Sequence, residues 1–304
     1  MKIFSLITLF LICSSLSIKG QQTPDTTFVP NIEHQSYESG KGPTICIDSV
    51  HNNLHTLDGG FAPFAGLMKI AGFRMKDLDQ PVLNSKVLAG CDIYAIINPL
   101  HESNLGNWRL PNPSVFTKEE ITEINKWVEV GGSLFLVADH MPFAGATELL
   151  GNSFGFSFSN GFANLVKERN QPDYFSIDNG RLNDHALLKE NIQTITSFTG
   201  SAFTYPDEAE IIMKFKKGDV SLEPEIAWQF TDTTKTISLE GYAQGAVLNY
   251  GSGKVAVFGE AAMFTAQKVT NQNGTFSVGF TSRIAPNNQL FAVYLMEYLT
   301  AEVK

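Results

Sequence analysis

Several signatures that would settle the chemistry at once are missing from this chain. No Gly-x-Gly-x-x-Gly follows the first predicted strand and there is no phosphate loop, which argues against nucleotide-dependent chemistry. None of the predicted strands runs into a Gly-x-Ser-x-Gly elbow, so an ordinary α/β-hydrolase nucleophile is not expected. Positive charge is scarce: 22 Lys and Arg face 31 Asp and Glu, a net charge of −9. An acidic chain without a basic stripe is a poor partner for nucleic acid or an anionic membrane. Cysteine is also scarce, with three in 304 residues. Beyond the first twenty residues no apolar run is long enough to span a bilayer.

What is present begins with a leader. Met1-Lys2 gives a small positive start, Ile3 to Ile12 is nearly all apolar, and Ile18-Lys19-Gly20 ends on a small residue. This reads as a secretory signal peptide over residues 1–20, cleaved near Gln21, because the run is too short for a spanning helix. Ile12 before Cys13 disfavours lipid anchoring. The mature protein is therefore expected to be exported, periplasmic or extracellular, with no membrane span. Cys46 and Cys91 then remain. They read as two buried apolar thiols, and a disulfide is permitted by the compartment without being implied.

Residues 21–42 are polar and read as a linker. Thr44-Ile45-Cys46-Ile47-Asp48 is the first core strand. A helix follows over Phe61 to Ala71, with Gly72 as its stop. Ile93-Tyr94-Ala95-Ile96-Ile97 and Leu134-Phe135-Leu136-Val137 are continuous apolar runs, as in strands covered on both faces. Between them, Thr117-x-x-Glu120 is a capping box opening a helix through Ile121, Ile124, Trp127 and Val128. This alternation argues a parallel sheet with helices on both faces. The stretch 153–235 is rich in Phe, Asn, Asp and Ser and reads as a β-rich insertion. Gly245 to Tyr250, the turn Gly251-Ser252-Gly253, and Lys254 to Phe258 form a hairpin ending at Gly259-Glu260. Asn288 is placed to cap a last helix over Gln289 to Leu299. Residues 43–304 thus form one α/β domain.

In such a sheet, ligands bind outside the carboxyl ends of the strands. The first strand is followed by Asp48-x-x-His51-Asn52-Asn53-x-His55, the second by Asn98-Pro99-Leu100-His101-Glu102, the third by Asp139-His140, and the last by Glu260. Four of the six histidines fall on this edge, each with a carboxylate close by in sequence. Three accounts are open. Asp48, His51, His55 and His140 could hold a divalent metal, zinc or manganese. Alternatively, His51, His140, Glu102 and Asp139 could carry out acid/base catalysis, with Asn53, Asn98 and His101 binding substrate. The plainest account is that these residues only cap turns. Glu102 and Glu260 could each serve as a general acid/base, though either alone is more often a solvated loop carboxylate. Trp108, Phe61 and Phe64 could floor a sugar-like ligand, but aromatics near a helix start are usually core. His34 lies in the linker and His185 in the insertion, and neither is assigned a role.

Ile47 to Thr56, running on into Gly60-Phe61-Ala62-Pro63-Phe64, resembles the opening of uncharacterised domains of the class I glutamine amidotransferase-like superfamily. Trp127 to His140, the hairpin over Gly251 to Gly259 and the last helix extend the likeness to about residues 43–150 and 240–300. The resemblance implies a flavodoxin-like three-layer α/β sandwich with a mostly parallel central sheet, here carrying the β-rich insertion. Amidotransferases place a nucleophilic Cys after a central strand, where this chain has Asp139-His140-Met141-Pro142. Glutamine hydrolysis through a thioester is therefore not expected. Similar domains in trehalose-utilisation-type proteins and in gliding or transport accessory proteins also lack that Cys. The leading expectation is an exported, metal-assisted hydrolase acting on a small or carbohydrate-derived substrate. The alternative is a non-catalytic ligand- or partner-binding module of the cell envelope.

Overall fold

The computed structural model describes residues 21–33, 35–167, 171–189, 192–271, 274–301 and 303. The expected leader and His34 lie outside the described residues. In chain order the first half contains β1 (Gln21–Pro24), β2 (Thr44–Asp48), α1 (Ala62–Ile70), β3 (Arg74–Leu78), β4 (Ile93–Ile97), α2 (Lys118–Glu129), β5 (Ser133–Val137) and α3 (Phe143–Ser153). Strands then dominate: β6 (Ser157–Asn164), β7 (Asp173–Ser176), β8 (Thr194–Ser197), β9 (Gly200–Thr204), β10 (Glu210–Lys214), β11 (Val220–Glu223) and β12 (Lys235–Ser238). The chain closes with β13 (Ala243–Tyr250), β14 (Gly253–Phe258), β15 (Ala266–Asn271), β16 (Gly274–Gly279) and α4 (Asn288–Thr300).

The apolar runs form central strands because both of their faces are covered. Alternation along β4 sends Ile93, Ala95 and Ile97 into a core shared with Phe64 and Leu67 of α1 and Phe291 and Leu295 of α4. Tyr94 and Ile96 point into a second core with Ile124 and Val128 of α2 and Leu150 of α3. The capping box at the start of α2 is formed. Thr117 Oγ1 accepts from the Glu120 amide at 3.2 Å, and Glu120 Oε2 accepts from the Thr117 amide at 2.9 Å. Gly72 stops α1 with φ +99°, where a Cβ would lie 2.1 Å from the Tyr37 carbonyl oxygen.

The large sheet has the order β12-β11-β6-β9-β13-β14-β5-β4-β2-β3, with β10 also on β13. It is mixed, not mostly parallel as expected. Parallel pairing is confined to β3, β2, β4, β5 and β14, while β14 to β13 and the strands beyond it pair antiparallel. The reason lies in the connections. Parallel neighbours need long crossovers, usually helical, and among the described residues no α-helix falls between α3 and α4.

Four smaller differences stand beside it. β3, Arg-Met-Lys-Asp-Leu, is an edge strand on β2 whose polar, mostly exposed residues give no apolar run to read. Gln21–Pro24, in the expected linker, pairs antiparallel with β15, and Phe28 and Ile32 pack on the core behind it. Asn288 begins α4 without capping it. Its side chain is drawn inward, donating to the carbonyls of Thr196 at 2.8 Å and Met263 at 3.3 Å. Cys46 and Cys91, expected as thiols, form a disulfide between β2 and the turn before β4, with Cα atoms 5.7 Å apart.

Candidate functional site

The parallel strands β2, β4, β5 and β14 share one carboxyl edge, and the residue after each defines it. Asn98, after β4, adopts a left-handed backbone with φ 51°. Its side chain faces Asp139, the second residue after β5. Asn98 Nδ2 donates to Asp139 Oδ2 at 2.8 Å, and Asn98 Oδ1 accepts from the Asp139 amide at 2.8 Å. The other carboxylate oxygen, Oδ1, accepts from the Ala261 amide at 2.6 Å. Glu260, after β14, accepts from the amides of Ala262 and Met263 at 2.7 and 2.8 Å. It is 1% exposed, so it is not the solvated loop carboxylate expected. Asp139 keeps partial contact with solvent.

Two neighbouring buried carboxyl groups resist double ionisation. Burial raises Asp139 to about 7, against the opposing hydrogen bonds from Asn98 and Ala261. Burial also raises Glu260 well above the usual carboxylate range. The charge of Asp139 adds to that shift, and the surrounding amides only partly offset it. The pair therefore carries a proton near neutral pH. Asp139 is the accessible member, with an affinity suited to taking and returning a proton there.

His51 lies apart from this pair, in a buried ionic network. Its Nδ1 bonds Asp48 Oδ2 at 2.8 Å and its Nε2 bonds Glu120 Oε1 at 3.0 Å. The Tyr94 hydroxyl donates to Asp48 Oδ1 at 2.9 Å. Burial alone would lower the imidazole, but the two carboxylates outweigh it and lift His51 to about 9. Burial would raise Glu120, but His51 and Thr117 hold it down to about 2. With both ring nitrogens engaged, His51 offers no lone pair to a metal and none to a substrate proton.

The remaining expected residues are dispersed. His55 is buried beside Phe61, burial lowers it to about 4, and among the described residues its Nδ1 has no hydrogen-bond partner. A Cβ on Gly60 would fall 2.1 Å from that nitrogen. Gly60→Ala is thus expected to displace the ring and cost about 1–3 kcal/mol, seen as a lower Tm; an unchanged Tm would mean that the ring moves freely. Asn53 donates to the Ile97 carbonyl at 3.3 Å, and its Oδ1 has no partner among the described residues. His101 caps the short turn Glu102–Asn104, accepting from the Ser103 amide at 3.2 Å, and Glu102 is exposed there. His185 pairs with Glu210 at 3.0 Å in the β-rich region. Phe61 and Phe64 are core residues. Among the described residues no three His, Cys, Asp or Glu side chains are grouped to hold a metal ion. The set Asp48, His51, His55 and His140 does not fit one.

His140 sits in an aromatic cluster that sequence reasoning caught only at Trp108. Its ring stacks on Phe162 at 4.3 Å and 13°, and Trp228 stands edge-on to it at 4.7 Å. Burial lowers His140 to about 4, against the bond from Nδ1 to the Met141 carbonyl at 2.6 Å. Gly151-Asn152-Ser153-Phe154-Gly155 does spell Gly-x-Ser-x-Gly, but it closes α3 and follows no strand. Ser153 Oγ donates to the Leu150 carbonyl at 2.7 Å, so this is a helix end and not a nucleophile elbow.

No family model matches the chain, and no curated protein matches it in sequence. Solved structures do resemble it. The mmIFT52 N-terminal domain superposes with a TM-score of 0.58 at 13% identity, covering 84% of this chain and 97% of that one. Cytoplasmic protein STM1381 from Salmonella typhimurium LT2 gives 0.48 at 10% identity, covering 85% and 98%. A putative ThuA-like protein from Bacteroides uniformis gives 0.46 at 10% identity, covering 88% and 95%. At such identities the likeness to the mmIFT52 domain is one of fold alone, and the chain is α/β with a large mixed sheet.

Proposed function

We propose that this chain is an exported hydrolase of small or carbohydrate-derived substrates, using Asp139 as a general acid/base without a metal. One observation carries the reading. A carboxyl group fixed by Asn98 and Ala261 at the carboxyl edge of a parallel sheet is raised to about 7 beside Glu260. In the reaction, the Asp139 carboxylate accepts a proton from water as the water oxygen bonds to the substrate carbon. The proton then passes to the leaving oxygen as its bond breaks. Glu260 and Asn98 are positioning residues. Export is supported by the pattern of residues 1–20 and by the Cys46–Cys91 bond.

The test is a screen of p-nitrophenyl glycosides and esters, followed by Asp139→Asn on any substrate turned over. The variant is expected to lose about 10²–10⁴ in kcat/KM. The parent pH profile should inflect near 7. Asn98→Gly keeps the left-handed turn and removes a bond that lowers Asp139, so it should move that inflection upward. Full activity in Asp139→Asn would overturn the reading. The exposed rings beside His140 favour a second reading, a non-catalytic ligand-binding module; saturable binding with no turnover of any substrate would select it.

A further inference from the structure

Beside Asp139 the structure carries an aromatic surface that acid/base chemistry does not use. The segment 225–230 is pinned to residues 108–110. Ala227 donates to the Trp108 carbonyl at 2.8 Å, and the Leu110 amide to the Glu225 carbonyl at 2.9 Å. At its tip Trp228 holds φ at 67°, in the left-handed region that a bulky residue rarely enters, yet the residue is 48% exposed. Phe230 is 43% exposed. Neither ring is loose. Trp228 packs edge-on against Phe162 at 4.6 Å and 63°, and Phe230 against Phe162 at 5.1 Å and 86°. Backbone strain held in place by packing, with the strained side chain turned to solvent, is the pattern of a binding element.

The chemistry of the surface narrows the ligand. Edge-to-face packing leaves Trp228 and Phe230 with open ring surface, and His140, 7% exposed, lies among the rings against Trp228 and Phe162. Since Nδ1 donates to the Met141 carbonyl, the lone pair is on Nε2, so His140 supplies an acceptor. Apolar faces with a few fixed polar groups are the make-up of a small-molecule site. The C–H face of a sugar ring matches the aromatics, and its hydroxyls match the His140 nitrogen and the Asp139 carboxyl. Asp139 and His140 are consecutive residues at the same strand end, with Cα atoms about 3.8 Å apart. The net charge of −9 works against a phosphorylated ligand. We infer that Trp228, Phe230 and His140 form a subsite for a neutral sugar ring, seated beside the Asp139 carboxyl. Only the placement of the scissile bond at that carboxyl rests on the function proposed above.

The experiment is a titration of the purified protein with glucose, galactose, mannose, xylose, cellobiose and xylobiose, followed by tryptophan emission and saturation-transfer NMR. Adenosine serves as the planar control. At least one sugar is expected to bind saturably. Trp228→Ala should weaken it about tenfold, in line with the worth of an aromatic contact, and Trp228→Phe should restore most of the loss. Trp228 is on the surface, so the variant folds, which an unchanged Tm verifies. Asp139→Asn keeps the rings and His140, so it should still bind sugar saturably, weakened less than Trp228→Ala by the change at one hydroxyl contact. No saturable sugar binding, undiminished binding in Trp228→Ala, or binding of adenosine alone each overturns the subsite. If Trp228→Ala weakens binding while Asp139→Asn still hydrolyses at the parent rate, the subsite stands and the acid/base reading falls.

Discussion

His51→Ala should cost about 3–5 kcal/mol of folding stability, because it strips the counter-charge from two buried carboxylates at once. Asp48 and Glu120 approach His51 from opposite sides, and all three side chains are almost completely enclosed. Removing the imidazole leaves Asp48 with the Tyr94 hydroxyl and Glu120 with its capping bonds, but both without a cation. Urea unfolding at pH 6.5 measures the loss. The combined Asp48→Asn, His51→Leu, Glu120→Gln variant removes the charges together and should recover much of it, since replacing a whole buried ionic group is often close to neutral. If the triple variant is no more stable than His51→Ala, the cost is one of packing and not of uncompensated charge.

The same network fixes the sign of the pH dependence. His51 is raised from 6.5 to about 9 in the fold, so its contribution is complete below pH 6.5 and is lost as pH rises through 9. A shift of that size corresponds to ~3 kcal/mol. The lowering of Glu120 to about 2 is the same interaction seen from the other partner, and the two are not summed. It sets the acid limit, present above pH 4.5 and lost as pH falls toward 2. His55 and His140 act oppositely to His51. Both are buried neutral and lowered to about 4, so their contributions are present above pH 6.5 and lost below it. Asp139 and Glu260, both raised in the fold, oppose these two histidines, because what they contribute is complete below the ordinary carboxylate range and is lost as pH rises toward 7 and beyond, so the clear decline lies on the alkaline side. The alkaline slope between 6.5 and 9 should become shallower in His51→Ala, leaving the part due to Asp139 and Glu260. A parent protein equally stable at pH 6.5 and 9 would contradict the network.

These residues show what a sequence can and cannot reveal. β4 and β5 are legible because a strand covered on both faces must be apolar throughout, and Ile93 to Ile97 and Leu134 to Val137 are. β3 is not, because an edge strand needs no such run. Glu120 is legible as a cap, but its hold on His51 spans 69 residues and no local pattern records it. Asp139 could be placed at a strand end. Its dependence on Ala261, 122 residues away, could not. The grouping of four histidines failed for a related reason. A shared edge sets which end of the sheet a residue occupies, not the side to which it turns. His51 turns to α2, and His140 to the rings of β6 and the 225–230 segment. Trp228 left no signal, since a single aromatic in an irregular segment has neither periodicity nor motif.

Removing the Cys46–Cys91 disulfide should cost about 4 kcal/mol, on the chain-entropy estimate for a loop of this length. The bond closes a separation of 45 residues that contains α1, β3 and the whole segment from Asp48 to His55. In the unfolded chain that loop is free to open only if the bond is absent. In the fold β2 and β4 are already neighbours, with Ile45 opposite Ile93, so the native pairing brings the two cysteines together without help. The bond therefore acts mainly on the unfolded state. A domain of this kind is stable by only about 5–15 kcal/mol, so the loss is a large share of the total. Urea unfolding of the parent with and without reductant, and of Cys46→Ala with Cys91→Ala, measures it. Both routes should give the same loss, because the alanines remove only two small sulfur atoms from the core. Thiol titration of the denatured, unreduced parent should find no free cysteine in a chain that begins at Gln21. Two free thiols, or an unfolding midpoint indifferent to reductant, would show that the strands are held by pairing and packing alone. The bond would then lend no support to an oxidising compartment.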